Sequence, residues 1–167
     1  MSALPQGLRP KEDDLRNALI ALGLLAMWML APGARAGALD DVRALYAAFA
    51  AAQNARDLKA VESLLLDSPT FLWVSDGMSI WGRDATIKRM SLFQGNDIWR
   101  VEPALQKAVV VEVGAETAFY HLPLTLVIGA GGAAPERIAF LVSVLCVKTA
   151  AGWRIAALFT TNEKPNS

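Results

Sequence analysis

Apolar residues recur at helical spacing from Leu39 onward, with Val42, Leu45, Tyr46 and Phe49 on one stripe, which predicts an amphipathic helix with Asp40 and Asp41 in its first turn. Asp57 is placed to cap a second, shorter helix whose inward face is Leu58, Val61, Leu64 and Leu65, and Ser68-Pro69 stops it. Thr70–Ser75 has strand composition, Asp76-Gly77 signals a tight hairpin, and Met78–Trp81 supplies the returning strand. Gly82-Arg83-Asp84 leads into a third helix carrying Ile87, Met90 and Phe93 and ending near Gly95-Asn96, with Arg83 and Asp84 read as positioning and capping it.

Beyond Asp97 the pattern changes to strands. Ile98–Glu102 is broken by Pro103, Lys107–Val113 and Thr117–Ile128 flank the turn at Gly114, and Glu136–Lys148 and Trp153–Thr161 flank Thr149–Gly152. Counting the stretch interrupted at Pro103 as one strand, the order is α-α-β-β-α and then four strands. The fold class is therefore α+β. Residues 162–167 form a polar tail expected not to order.

The strands are apolar on both faces. In Thr117–Ile128 one side carries Ala118, Tyr120, Leu122, Leu124, Leu126 and Ile128, and the other carries Phe119, His121, Pro123, Thr125 and Val127. A sheet with one wet face alternates apolar with polar, so both faces are expected to be covered. Three helices cover one of them. The other is the expected interface of a homodimer, because a monomer seldom leaves so large an apolar patch in water.

The first 36 residues differ from the rest. Ala18–Ala31 is an uncharged apolar run, followed by Pro32-Gly33 and then Ala34-Arg35-Ala36. A short apolar run, a helix-breaking pair and a small-x-small triplet predict a cleaved export signal, cut between Ala36 and Gly37, and hence a periplasmic or secreted protein. The run is shorter than the roughly 20 residues that span a bilayer, so no stable membrane span is expected once the signal is removed. Residues 37–161 then form the folded domain.

Composition narrows the chemistry. Sixteen basic residues balance sixteen acidic ones in the 167-residue chain, so no net field draws it to nucleic acid. Cys146 is the sole cysteine, His121 the sole histidine, and no His-x-x-x-His spacing occurs, so no metal site and no cofactor is predicted. Cys146 lies in the apolar run Phe140–Val147 and reads as a packing thiol. Gly129-Ala-Gly131-Gly132 joins two strands and opens no helix, so it is a loop and not a phosphate cradle. Gly77-Met-Ser79-Ile-Trp81 ends in Trp where a nucleophile elbow needs Gly.

The element order, together with Ala52–Leu65, Thr70–Gly77, Trp81-Gly82-Arg83-Asp84 and Gly152-Trp153-Arg154-Ile155, resembles the SnoaL-like branch of the nuclear transport factor 2-like superfamily over residues 39–161. The resemblance implies a cone-shaped, curved antiparallel sheet wrapped on N-terminal helices, a cystatin-like roll with a pocket at its open end. Members include ketosteroid isomerases, cyclases, dehydratases, ligand-binding proteins and oligomerisation modules, so the fold alone selects no activity. Where the isomerases place a tyrosine donor this chain has Phe49, where they place the general base it has Trp73, and the second acid aligns with Val144. None of these side chains shuttles a proton.

The resemblance thus implies a pocket without the isomerase chemistry, with Trp73 on its wall, Phe49 as its floor and Tyr46 as a displaced donor one helical turn away. His121 shares a strand face with Phe119 and Thr125 and is expected on the same wall as Trp73, as a ligand anchor or a weak candidate base. The expected partner is a small, uncharged, largely apolar molecule, bound without evident catalysis. Two alternatives stay open: an isomerase, cyclase or dehydratase using His121 with Tyr46 or Asp76, and a structural dimerisation domain whose pocket is filled by its own side chains.

Overall fold

The computed structural model of the chain describes residues 32–164. The apolar run Ala18–Ala31, and with it the expected signal core, lies outside the described residues. The chain divides into two units, Met1–Gly37 and Ala38–Ser167, and the second is the folded domain.

Helix α1 spans Pro32–Asn54, so Pro32-Gly33 lies within it. Asp40 and Asp41 consequently sit in its middle and not in a first turn, and Asp40 pairs instead with Arg43 one turn on (3.2 Å). The predicted stripe is the buried one: Val42, Leu45, Tyr46 and Phe49 are all inside. Helix α2 (Leu58–Leu64) starts at Asp57, whose carboxylate accepts from the Ala60 N–H at 2.9 Å, and buries Val61. Helix α3 (Arg83–Gln94) buries Thr86, Met90 and Gln94. Arg83 ties α3 to the α2 end of the chain through Glu62 (3.3 Å) and Asp67 (3.1 Å).

Strands β1 (Leu72–Ser75) and β2 (Met78–Trp81) form the expected hairpin, with Asp76 and Gly77 both at positive φ (51° and 70°), the geometry that a two-residue turn demands. Among the described residues five strands follow α3, one more than the pattern suggested: β3 (Ile98–Pro103), β4 (Val109–Gly114), β5 (Thr117–Gly129), β6 (Glu136–Thr149) and β7 (Gly152–Asn162). Between β3 and β4 the chain makes a 3-10 turn at Leu105–Lys107, so the stretch around Pro103 is two strands rather than one. Both pair with β5, β3 along Leu124–Gly129 and β4 along Thr117–His121.

The sheet is curved and unclosed, seven-stranded, ordered β2-β1-β7-β6-β5-β3 with β4 beside β5. Among these strands only the β1–β7 pairing is parallel. The long pair β5–β6 runs in register from Thr117↔Val147 to Ile128↔Glu136. Residues 162–164 are not a free tail: Asn162 ends β7, and the Glu163 N–H donates to Ala139 O at 2.9 Å.

One face of the sheet packs on the helices. It carries Tyr120, Leu122, Val144, Cys146 and Ile155, each at most 1% exposed. The opposite face is open. Val109 (55%), Val111 (53%) and Phe119 (40%) stand out on it from β4 and β5. At the β3 end of that face Glu102 accepts from Arg100 and Arg137, each at 2.6 Å. The Arg137 hydrogen bond above all, aided by both positive charges, holds the Glu102 carboxyl below its ordinary range.

Three buried acids sit on the packed side, and burial raises each of them. The Cys146 thiol is pushed up to about 12, and the Tyr46 and Tyr120 hydroxyls also titrate above their ordinary value. A group whose folded pKa is raised contributes stability that is complete below its unfolded pKa and disappears as pH climbs toward the folded one. The melting temperature is therefore expected to fall steadily as pH rises from about 9 to about 12, with Cys146→Ala reducing the slope. Scanning calorimetry of parent and variant across that range checks it; identical slopes would remove Cys146 from the alkaline transition.

Candidate functional site

Between α1, α3 and the packed face of the sheet lies a cavity of ≈ 830 Å³. Tyr46, Phe49 and Gln53 come from α1, and Arg89, Met90 and Phe93 from α3. The sheet contributes alternate residues, because a strand presents every second side chain to one face: Trp99 and Val101 of β3, Leu124, Leu126 and Ile128 of β5, and Ile138, Phe140 and Val142 of β6. Trp73 and the Asp76-Gly77 turn complete one end.

The wall is largely aromatic and is ordered by ring contacts. Trp99 stacks on Phe93 (5.9 Å between centroids), Phe93 meets Trp73 edge-on (6.4 Å), and Tyr46 stacks on Tyr120 (4.8 Å) and tilts against Phe49 (5.9 Å). Trp73 Nε1 is fixed by Thr160 Oγ1 at 3.4 Å across the β1–β7 pair.

Three of the residues singled out from the sequence line this cavity: Trp73, Phe49 and Tyr46. His121 does not. It lies between Tyr120 and Leu122 on β5, both of which are buried under the helices, so the two-residue period sends it to the open face. There its Nδ1 meets Ser143 Oγ at 2.9 Å on the neighbouring strand. The expectation that His121 shares a wall with Trp73 is corrected: both faces of β5 are apolar, and alternation separates them without saying which one the helices cover. Asp76 does reach the cavity, at the turn. Val144, the aligned second acid position, is fully buried. Among the described residues no group of three or more His, Cys, Asp or Glu side chains is placed to hold a metal ion.

Sequence reasoning missed Arg89. Its guanidinium carbon lies 5.0 Å from the centroid of Phe93 and 5.8 Å from that of Trp73, a stacked cation at the aromatic wall. The signal was present in the helical spacing, since Arg89 stands four residues before Phe93 and next to Met90, on the face that turns inward.

Residues 42–158 match the SnoaL-like domain family. The chain belongs to that family. Among solved structures, this SnoaL-like domain is similar to a proposed dehydratase of the nuclear transport factor 2-like family from Streptomyces avermitilis, with a TM-score of 0.69 and 16% identity over 77% of this chain and 98% of that one. It is also similar to a nuclear transport factor 2-like superfamily protein from Salmonella enterica, at 0.72 and 10% over 80% and 96% of the two chains. A ketosteroid isomerase-like protein from Erwinia carotovora atroseptica gives 0.62 and 20% over 76% and 97%. At these identities the likeness is one of fold. No curated protein matches the chain. The SnoaL-like domain thus shares its curved sheet and helices with relatives of differing description, and its own side chains must carry any functional reading.

Proposed function

We propose that this SnoaL-like domain binds one small, largely apolar molecule in the cavity between α1, α3 and the sheet. The observation that carries the reading is an open volume of ≈ 830 Å³ walled by Phe49, Trp73, Phe93, Trp99 and aliphatic strand residues. That size and lining match the usual dimensions of small-molecule pockets. An open cavity of this volume also speaks against a dimerisation module whose pocket is filled by its own side chains. For an isomerase, cyclase or dehydratase the cavity offers Tyr46 and Asp76, while His121 stands outside it. Burial raises the Tyr46 pKa, which keeps its hydroxyl protonated as a donor and unfit as a base near neutrality.

Binding is tested with a neutral naphthylamine dye titrated into the full chain, with melts run alongside. Trp73→Ala is expected to weaken dye binding about five- to tenfold, since an aromatic wall contributes on the order of 1 kcal/mol or more. His121→Ala is expected to leave affinity unchanged, because the imidazole faces away from the cavity. Loss of binding in His121→Ala with Trp73→Ala unaffected, both folded, would move the site to the open face.

That open face is, in this proposal, the contact with a second copy of the chain. Val109, Val111 and Phe119 form an exposed apolar group on β4 and β5, continued by the half-buried Leu145 of β6 and the partly buried Phe159 of β7. Stable pairs bury at least about 1,000 Å² in total. Sedimentation at micromolar concentration is expected to show a dimer for the parent and a monomer for Phe119→Glu; a monomeric parent removes the proposal.

Export completes the reading. Its support is the apolar run Ala18–Ala31 followed by Ala34-Arg35-Ala36. Intact-mass measurement of protein recovered from its native host is expected to give a chain beginning at Gly37, and recovery of the full-length chain from the cytoplasm contradicts it.

A further inference from the structure

We infer that the ligand of this cavity is an amphipathic anion, an aromatic or aliphatic ring system bearing a carboxylate that Arg89 receives; the inference rests on the cavity being a ligand site. Arg89 Nε is buried and donates to nothing. Among the described residues its guanidinium makes no hydrogen bond or ion pair, in contrast to Arg56, Arg83, Arg100 and Arg137, which are all bonded to carbonyls or carboxylates. Its contacts are instead the faces of Phe93 and Trp73. A guanidinium is always charged and has donors only, in a planar fork that matches a carboxylate. A buried donor without an acceptor is costly, so a site of this kind is completed by an acceptor brought from outside.

A second donor points the same way. Trp99 Nε1, on the ring stacked against Phe93, is also buried and unbonded. Of the buried side-chain donors without a partner, which also include Arg83 Nε, Gln94 Nε2 and Trp153 Nε1, these two adjoin the aromatic group Trp73–Phe93–Trp99 of the cavity wall, while the strand residues Leu124, Leu126, Ile138 and Phe140 supply an apolar surface for the ring system. The cavity's own carboxylates do not answer for Arg89: Asp76 and Glu136 both line the wall, and among the described residues neither forms an ion pair with it. The stacked guanidinium is the one cationic group on the described cavity wall. A cation held over indole and phenyl rings is less hydrated than one in water and is thereby prepared for a charge-assisted, bidentate pair.

The test compares two probes of one shape, a naphthalene carboxylate and the corresponding naphthalene methanol, each displacing the neutral dye from the full chain. The parent is expected to bind the carboxylate about tenfold or more tightly than the alcohol. Arg89→Gln is expected to abolish the preference for the carboxylate over the alcohol, and Arg89→Lys to retain part of it. Equal affinities in the parent, or a preference that survives in Arg89→Gln, overturn the inference and leave the apolar pocket standing. Failure of the dye and of both probes to bind overturns the pocket as well. Because the parent's own preference is decisive, a variant that does not fold does not rescue the inference.

Discussion

The Arg56 guanidinium donates to three backbone carbonyls at the end of α3, those of Gln94 (2.8 Å), Asn96 (2.7 Å) and Asp97 (2.9 Å), and the cavity depends on this clamp. Two residues earlier, Asn54 accepts from the Val101 N–H (2.8 Å) and donates to its C=O (2.9 Å), closing the edge of β3 onto the end of α1. The final carbonyls of a helix have no partners of their own, and an unmet buried peptide group costs about 1–3 kcal/mol. One short segment, Asn54–Arg56, thereby joins α1, α3 and β3. Arg56 adopts a left-handed backbone (φ 57°) to do so, an arrangement that the three bonds offset.

With α3 held at its C-terminal end, its Arg89–Phe93 turn stands over the sheet, and the space beneath it stays open. The Asp97 carboxylate continues the same anchoring by accepting from the Gly131 N–H. A Cβ on Gly131 would come within 2.8 Å of that oxygen, so any larger residue there displaces the carboxylate. The Gly-rich tract thus has a structural use as a docking point for the start of β3.

Opposite this end, hydrophobic packing decides. Val42, Val61, Leu65, Phe71 and Ile155 are essentially without exposure, and they weld α1 and α2 to β7. The molecule is accordingly solid where α2 meets the sheet and hollow where α3 is held away from it. The polar clamp sets this difference, because residues bonded to helix-end carbonyls cannot move inward to fill the gap without losing their partners.

The sequence by itself determined the class of the fold, the stripe of α1, the cap at Asp57, the Asp76-Gly77 hairpin and the apolar character of both sheet faces, because each follows from local spacing or turn chemistry. It also placed Trp73, Phe49 and Tyr46 together, through resemblance and helical period. It could not count the strands around Pro103, since a 3-10 turn between two short strands leaves no periodic trace. Which face of β5 the helices cover was decided only by tertiary packing. Two apolar faces alternate equally well in sequence, and the choice sent His121 outward to Ser143 and Tyr120 inward to Tyr46. Arg89 was hidden for the same kind of reason: a charge on a helix reads as solvated until the fold shows that the groups around it are rings and not carboxylates.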